Sequence, residues 1–176
     1  MIGDSRRRIR ATASLSRRGF NSSNVAIDLY GKAGGAHENG LGLLADSVDH
    51  EITTGTYVQL DLANLWAQSP TTFSIIINSV QTGEGWNIYG SNAKGTLGTL
   101  LLGPGTTETS QSFGSIPNAY QFISVRADAG NVLLSSISAD LPTVPPESVA
   151  PEPSSLVMIG SGLLAVALFR RRKRSS

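Results

Sequence analysis

Residues 58 to 62 read Val-Gln-Leu-Asp-Leu, and this alternation of apolar and polar side chains is the clearest structural signal in the chain. A period of two residues places the three apolar side chains on one face of a strand and Gln59 and Asp61 on the other. We therefore predict a β-strand here, with its apolar face buried and its polar face in solvent.

Similar short runs follow one another along most of the chain. They cover residues 25–29, 73–80, 86–89, 97–102, 120–126 and 132–137. Turn-forming residues separate them, and we interpret Gly103-Pro104-Gly105 as one such turn. The pattern predicts an all-β domain over residues 24–140, folded as an antiparallel β-sandwich or jelly roll, with one helical turn within residues 61–68.

The composition excludes several classes of function. The chain has no cysteine, which rules out disulfides, thiolate nucleophiles and cysteine-ligated metals. Residues 21–150 contain three cations and eleven acids, a net charge of −8. Because nucleic-acid binding needs clustered Lys and Arg, we exclude it for this acidic body. We expect no cofactor.

The two flanking segments differ from this body. Residues 1–23 hold six arginines against one acid and no apolar stretch, and we interpret them as a basic, disordered leader or a misassigned start. Residues 141–153 contain five of the eight prolines and predict a stiff, extended linker.

The C-terminal segment 154–176 is predicted to be a single transmembrane helix with a basic tail. Residues 156–169 carry no charge, and a helix of that length reaches about 21 Å, which flanking serines and long basic side chains extend toward the ~30 Å of a bilayer core. The positive-inside rule puts the chain end in the cytoplasm. The basic block consists of Arg170, Arg171, Arg172, Lys173 and Arg174.

Pro151, Glu152 and Pro153 precede the apolar segment and the basic block, and this order resembles the PEP-CTERM sorting signal of exported bacterial proteins. The resemblance implies processing by exosortase, a membrane-embedded enzyme that reads Pro-Glu-Pro, and an association with exopolysaccharide and biofilm matrix. It implies passage through the membrane to the cell surface or matrix. Members of the family normally begin with a secretion signal peptide, so we expect either a misassigned start or a product that is not exported.

Two groups of residues are candidates for ligand binding in the body. Trp86, Tyr89 and Tyr57 suit stacking on a sugar ring, although core packing explains strand aromatics equally well. Asp46, Asp49 and Glu51 are the densest acid cluster, and oxygen ligands at that spacing suit Ca²⁺, although solvated turn acids explain them too.

From these patterns we predict a surface or secreted β-sandwich protein without catalytic activity. The alternatives are a carbohydrate-binding module, a cell-surface hydrolase whose catalytic acids the sequence does not identify, and a plain single-pass membrane protein.

Overall fold

The computed structural model describes residues 15–113 and 119–142, and in these residues nearly all regular structure is antiparallel β-sheet. The strands are β1 (Ser16–Asn21), β2 (Ala26–Ile27), β3 (Leu29–Ala33), β4 (Asn39–Leu43), β5 (Ile52–Thr53), β6 (Thr56–Asp61), β7 (Thr72–Asn78), β8 (Gly85–Ser91), β9 (Thr99–Gly105), β10 (Thr109–Phe113), β11 (Phe122–Ala129) and β12 (Asn131–Asp140). The all-β prediction is confirmed.

The strands form two sheets. Sheet A has the order β2-β1-β6-β11-β8-β9, and sheet B has the order β10-β7-β12-β4-β3, with β5 paired to β12. The predicted strand over residues 25–29 is divided between the sheets, because β2 belongs to sheet A and β3 to sheet B. One short stretch of chain therefore crosses from one sheet to the other at Asp28.

The hydrophobic core draws on both sheets. Strand β7 shows the expected alternation, since Phe73, Ile75 and Ile77 are buried and the residues between them are only partly buried. Sheet A supplies the facing side chains, which include Val58, Leu60, Trp86, Ile88, Ile123 and Val125. Because both inner faces contribute to one cluster, the sheets stabilise each other through apolar burial.

The prediction that the polar face of β6 lies in solvent is wrong. Gln59 is only 3% exposed, and Tyr57, two residues earlier on the same face, is 2% exposed. The turn after β8 folds over this outer face of sheet A, where Gly95 N donates to Gln59 Oε1 (2.8 Å) and Gln59 Nε2 donates to Thr96 O (3.0 Å). A buried polar side chain with its hydrogen bonds satisfied is tolerated on such a face.

The predicted disordered leader is wrong for its last residues, because Ser16–Asn21 form β1 and pair with both β6 and β2. Phe20 is buried and stacks on Tyr57, with ring centroids 5.4 Å apart. Backbone pairing needs no apolar run, so a strand with exposed Arg17 and Arg18 shows no hydrophobic periodicity.

Gly103-Pro104-Gly105 is also not a turn, since these residues end strand β9. Strand β9 lies at the edge of sheet A, the position at which a sheet most readily accommodates proline. The helical turn predicted within residues 61–68 is confirmed as α1 (Ala63–Trp66), which buries Leu65.

No helix among the described residues has the length and apolar character needed to cross a bilayer. The predicted transmembrane helix over 154–176 and nearly all of the predicted linker lie outside the described residues. The described part ends at Pro142, where the first of two units of the chain also ends.

Candidate functional site

Four polar side chains from separate segments meet beside β3. Lys32 belongs to β3, Glu38 precedes β4, Glu51 precedes β5 and Ser79 follows β7. Lys32 Nζ lies 2.5 Å from Glu51 Oε1 and 2.7 Å from Glu38 Oε2. We call these four residues the Lys32 cluster. It places one amine between two carboxyl groups.

The Lys32 cluster is buried on one side and open on the other. Glu51 and Ser79 are each 2% exposed, whereas the side chains of Lys32 and Glu38 are 21% and 35% exposed. Removing one partner of such an ion pair leaves an uncompensated charge in a poorly hydrated place, which is strongly unfavourable.

The two carboxyl groups differ in proton affinity. Burial raises the pKa of Glu51 more than the hydrogen bonds from Lys32 and Ser79 lower it. The hydrogen bond from Lys32 lowers the pKa of Glu38. Desolvation lowers the pKa of Lys32, but the hydrogen bonds and charges of both carboxyl groups outweigh it and leave that pKa above its ordinary value. The two carboxyl groups thus differ because Glu51 is the more desolvated of the pair around one shared amine.

Ser79 connects the cluster to its surroundings. Its Oγ lies 2.9 Å from Glu51 Oε1 and 3.2 Å from Glu38 Oε1. Its backbone N–H donates to Glu108 Oε1 (2.8 Å) and to His37 O (3.0 Å). Its φ of 57° is in the left-handed region, which is unfavourable for a residue with a side chain. These bonds offset that conformational cost and fix the hydroxyl on the carboxyl pair.

The structure brings together one pair of carboxyl groups, Glu38 and Glu51, that bears on the hydrolase alternative. Glu38 and Glu51 are both held by Lys32, and Glu51 is almost wholly buried. Glycoside hydrolysis needs two carboxyl groups flanking a bound sugar. In this structure both groups instead contact the Lys32 amine.

Sequence reasoning did not find the Lys32 cluster, apart from including Glu51 in the calcium candidate. The available signal was weak: Lys32 is the first cation of the acidic body, and a cation there is expected to find a carboxylate. Which carboxylates it finds depends on how β3, β5 and β7 are brought together, and spacing along the chain does not contain that information.

The structure directs the three candidate calcium ligands to different partners. Asp46 accepts hydrogen bonds from the backbone N–H groups of Val48 (3.3 Å) and Glu51 (3.2 Å), so its carboxylate closes the turn before β5. Asp49 Oδ2 lies 3.5 Å from Asn131 Nδ2, and the Glu51 side chain turns inward to Lys32. Within residues 15–113 and 119–142, no three potential metal-binding side chains are grouped.

The structure also separates the three aromatic residues predicted to contact sugar. Trp86 is 2% exposed in the core, and its Nε1 donates to Thr107 O (3.1 Å). Tyr57 is equally buried on the outer face of sheet A, where its hydroxyl donates to Gly95 O (2.5 Å). Burial raises the pKa of Tyr57, as expected for a phenol away from water. Packing hides the rings of Trp86 and Tyr57, as the alternative explanation of core packing requires.

Tyr89 remains partly exposed on the outer face of sheet A. It lies opposite Ser124 on one side and Leu100 on the other, and Leu100 is 50% exposed. Asn87 Nδ2 lies 3.4 Å from the Tyr89 hydroxyl and donates to Asp128 Oδ1 (2.9 Å). An aromatic ring, an exposed carboxylate and an apolar side chain thus share one small patch, which we call the Tyr89 patch.

The predicted sorting residues Pro151, Glu152 and Pro153 and the basic block at 170–174 lie outside the described residues. Comparison with protein families nevertheless identifies this segment: residues 149–173 match the PEP-CTERM protein-sorting motif. The motif supports an exported protein that passes through the membrane and whose sorting signal is processed by exosortase. No curated protein and no solved structure shows significant similarity to the chain.

Proposed function

We propose that this chain is a bacterial surface or secreted protein whose β body is delivered to the exopolysaccharide or biofilm matrix after exosortase reads Pro151-Glu152-Pro153. The observation that carries the proposal is the sorting motif at residues 149–173. Processing separates the delivered body, which includes strands β1 to β12, from its membrane segment.

The membrane topology follows from the charge pattern of the tail. Five cations follow the apolar segment 156–169, and such blocks stay on the cytoplasmic side. The acidic body is then on the outer side, and two prolines in Pro-Glu-Pro restrict the backbone before binding, which lowers the ordering cost of recognition by the processing enzyme.

The body itself is proposed to be a non-catalytic module. Its inner sheet faces are joined by apolar packing, and the carboxyl pair of Glu38 and Glu51 is occupied by Lys32. A rigid sandwich with an acidic surface suits a matrix component, because its charge keeps it soluble and separate after release.

Replacing Glu152 with alanine should lower the processed fraction of the protein about tenfold or more, because a charged group read in an enzyme cleft is removed. The measurement is the intact mass of the protein recovered from cells and from medium. Wild-type protein should lack the tail, and the E152A variant should retain it. Glu147→Ala, in the same proline-rich segment, is the matched control and should be processed normally.

The single-pass alternative makes the opposite prediction. If the protein is simply anchored, E152A and wild type will have the same mass and the same location, and deleting the exosortase gene will change neither. Either result would remove the processing step from the proposal.

A second candidate function is carbohydrate binding, and the Tyr89 patch favours it. A partly exposed ring with a nearby carboxylate supplies the stacking face and the hydroxyl acceptor that a sugar requires. The patch also lies on the outer face of sheet A, outside the core that hides Trp86.

Tyr89→Ala should weaken binding to exopolysaccharide purified from the producing cells by about three- to tenfold, the effect of losing one stacking contact. Calorimetric titration measures it. Tyr30→Ala, a partly exposed tyrosine of sheet B, is the control and should bind as wild type does. Equal affinity of Y89A and wild type would exclude the Tyr89 patch as the binding site.

A further inference from the structure

The Lys32 cluster brings an amine close to the carbonyl carbon of a buried carboxyl group. Lys32 Nζ is 2.5 Å from Glu51 Oε1. Because the C=O bond is about 1.2 Å long, Glu51 Cδ is within about 3.7 Å of the same nitrogen. Reacting atoms held about 3–3.5 Å apart are in near-attack positions. A movement of a few tenths of an ångström would therefore bring Lys32 Nζ and Glu51 Cδ to this separation.

We propose that Lys32 and Glu51 react with each other to form an intramolecular amide bond between Nζ and Cδ. The reaction is a condensation that needs no oxidant, reductant or cofactor. The lysine ammonium and the glutamate carboxylate become one amide and one water molecule. Two of the three ammonium protons leave with one oxygen of Glu51, and the third stays on the amide nitrogen.

Glu38 is positioned to move the protons. Its Oε2 lies 2.7 Å from Lys32 Nζ, so it accepts a proton from the ammonium and frees the nitrogen lone pair for attack on Glu51 Cδ. It then returns that proton to the departing oxygen of Glu51. The lowered pKa of Glu38 keeps it a carboxylate before the reaction, so that it is free to accept the ammonium proton.

Ser79 is positioned to stabilise the intermediate. Its Oγ is 2.9 Å from Glu51 Oε1, the oxygen on which negative charge develops when the nitrogen adds. The backbone bonds of Ser79 to Glu108 and His37 hold the hydroxyl there before the reaction begins. The burial of Glu51 also limits the access of water, which would otherwise favour the separate acid and amine.

The location of the bond suits an exported protein. Strand β3 is the edge strand of sheet B, and the amide would tie it to the segment before β5, nineteen residues further along the chain. The chain has no cysteine, so a disulfide does not supply such a link. A covalent bond at an edge strand restricts the unfolded chain as a disulfide does.

Peptide mapping of the full-length protein, purified from the producing cells and denatured, tests the proposal. Trypsin should fail to cut after Lys32 and should give one peptide of residues 19–94, lighter than its sequence by the mass of one water molecule. A second digestion after Glu38 should leave the peptide that contains Lys32 attached to the peptide that contains Glu51. This internal peptide is independent of the sorting tail, so its result is separate from that of the processing experiment.

Two variants and one control assign the roles. Lys32→Arg keeps the positive charge but should abolish the mass loss. Glu38→Gln has nearly the same shape and should lower the linked fraction at least tenfold. Lys94→Arg, at an exposed lysine in the turn after β8, should form the bond as wild type does. Circular dichroism checks that each variant is folded.

Wild-type protein that yields separate peptides 19–32 and 33–94 at full mass, even after prolonged incubation of the folded protein, overturns the proposal. Water loss that persists in K32R also overturns it. If K32R does not fold, the peptide map of the wild-type protein by itself shows whether the amide bond forms. Equal linked fractions in E38Q and wild type would remove Glu38 from the mechanism.

Discussion

Replacing Trp86 with alanine should lower the free energy of unfolding by about 3–5 kcal/mol, the usual loss for removing a large aromatic side chain from a core. The indole is 2% exposed and packs directly over Gly105, where a Cβ atom would lie only 2.1 Å from the ring. Alanine would leave a cavity between the sheets and an unpaired carbonyl at Thr107, which now accepts from the indole N–H. Denaturant unfolding followed by circular dichroism measures the change.

Leu100→Ala is the control for this variant. Leu100 lies on the neighbouring strand β9 and is 50% exposed, so its truncation should change stability by no more than about 0.5 kcal/mol. If W86A unfolds at the wild-type denaturant concentration, Trp86 is not a core residue. Loss of sugar binding in W86A would reflect unfolding, whereas loss of binding in a stable variant would restore its predicted role as a sugar contact.

Replacing Gly42 with alanine should destabilise the protein by about 3 kcal/mol or more, at the upper end of the range for overpacking. A Cβ atom at Gly42 would lie 1.8 Å from His50 O and 2.9 Å from Glu51 Cα. Both contacts are with backbone, which has no rotamer to change. Relief would require moving the His50 carbonyl, which accepts the hydrogen bond from Leu43 N, and would shift Glu51 away from Lys32.

Gly31→Ala is a closely matched control, because Gly31 lies in β3 opposite Leu41, next to the pair formed by Tyr30 and Gly42. A Cβ atom at Gly31 meets nothing within 4 Å. Its replacement should be neutral or stabilising by about 0.5 kcal/mol, since alanine reduces the entropy of the unfolded chain. The midpoint of thermal unfolding should therefore fall below the wild-type value in G42A and stay at or above it in G31A. Similar midpoints would contradict the close packing of Gly42.

Much of the sheet structure was predictable because its signal is local. The alternation of Phe73, Ile75 and Ile77 in β7 follows from one strand having one buried face. The helical turn at Ala63–Trp66 was predicted for the same reason, from a short window of sequence. Each of these patterns reports on the environment of neighbouring residues only.

Strands β1 and β4 were not predicted, since their burial depends on distant segments. Strand β4 contains two glycines, Gly40 and Gly42, and both are required by close approach of other backbone rather than by a turn. Strand β1 is held in sheet A by backbone pairing with β6, and the outer face of β6 is covered by residues 92–96. An amino-acid pattern does not reveal a neighbour that arrives from elsewhere in the chain.

The sequence by itself determined that this protein is built from strands and that it carries a sorting signal, because strand periodicity and the order of motif, apolar segment and basic block are both properties of consecutive residues. Only the tertiary structure decided which polar groups meet. It buried Trp86 and Tyr57. It also directed the Glu51 side chain toward Lys32 and placed the Ser79 hydroxyl beside Glu38 and Glu51. Side chains far apart in the chain interact only when sheet pairing closes the loops between them, and that closure is a property of the whole fold.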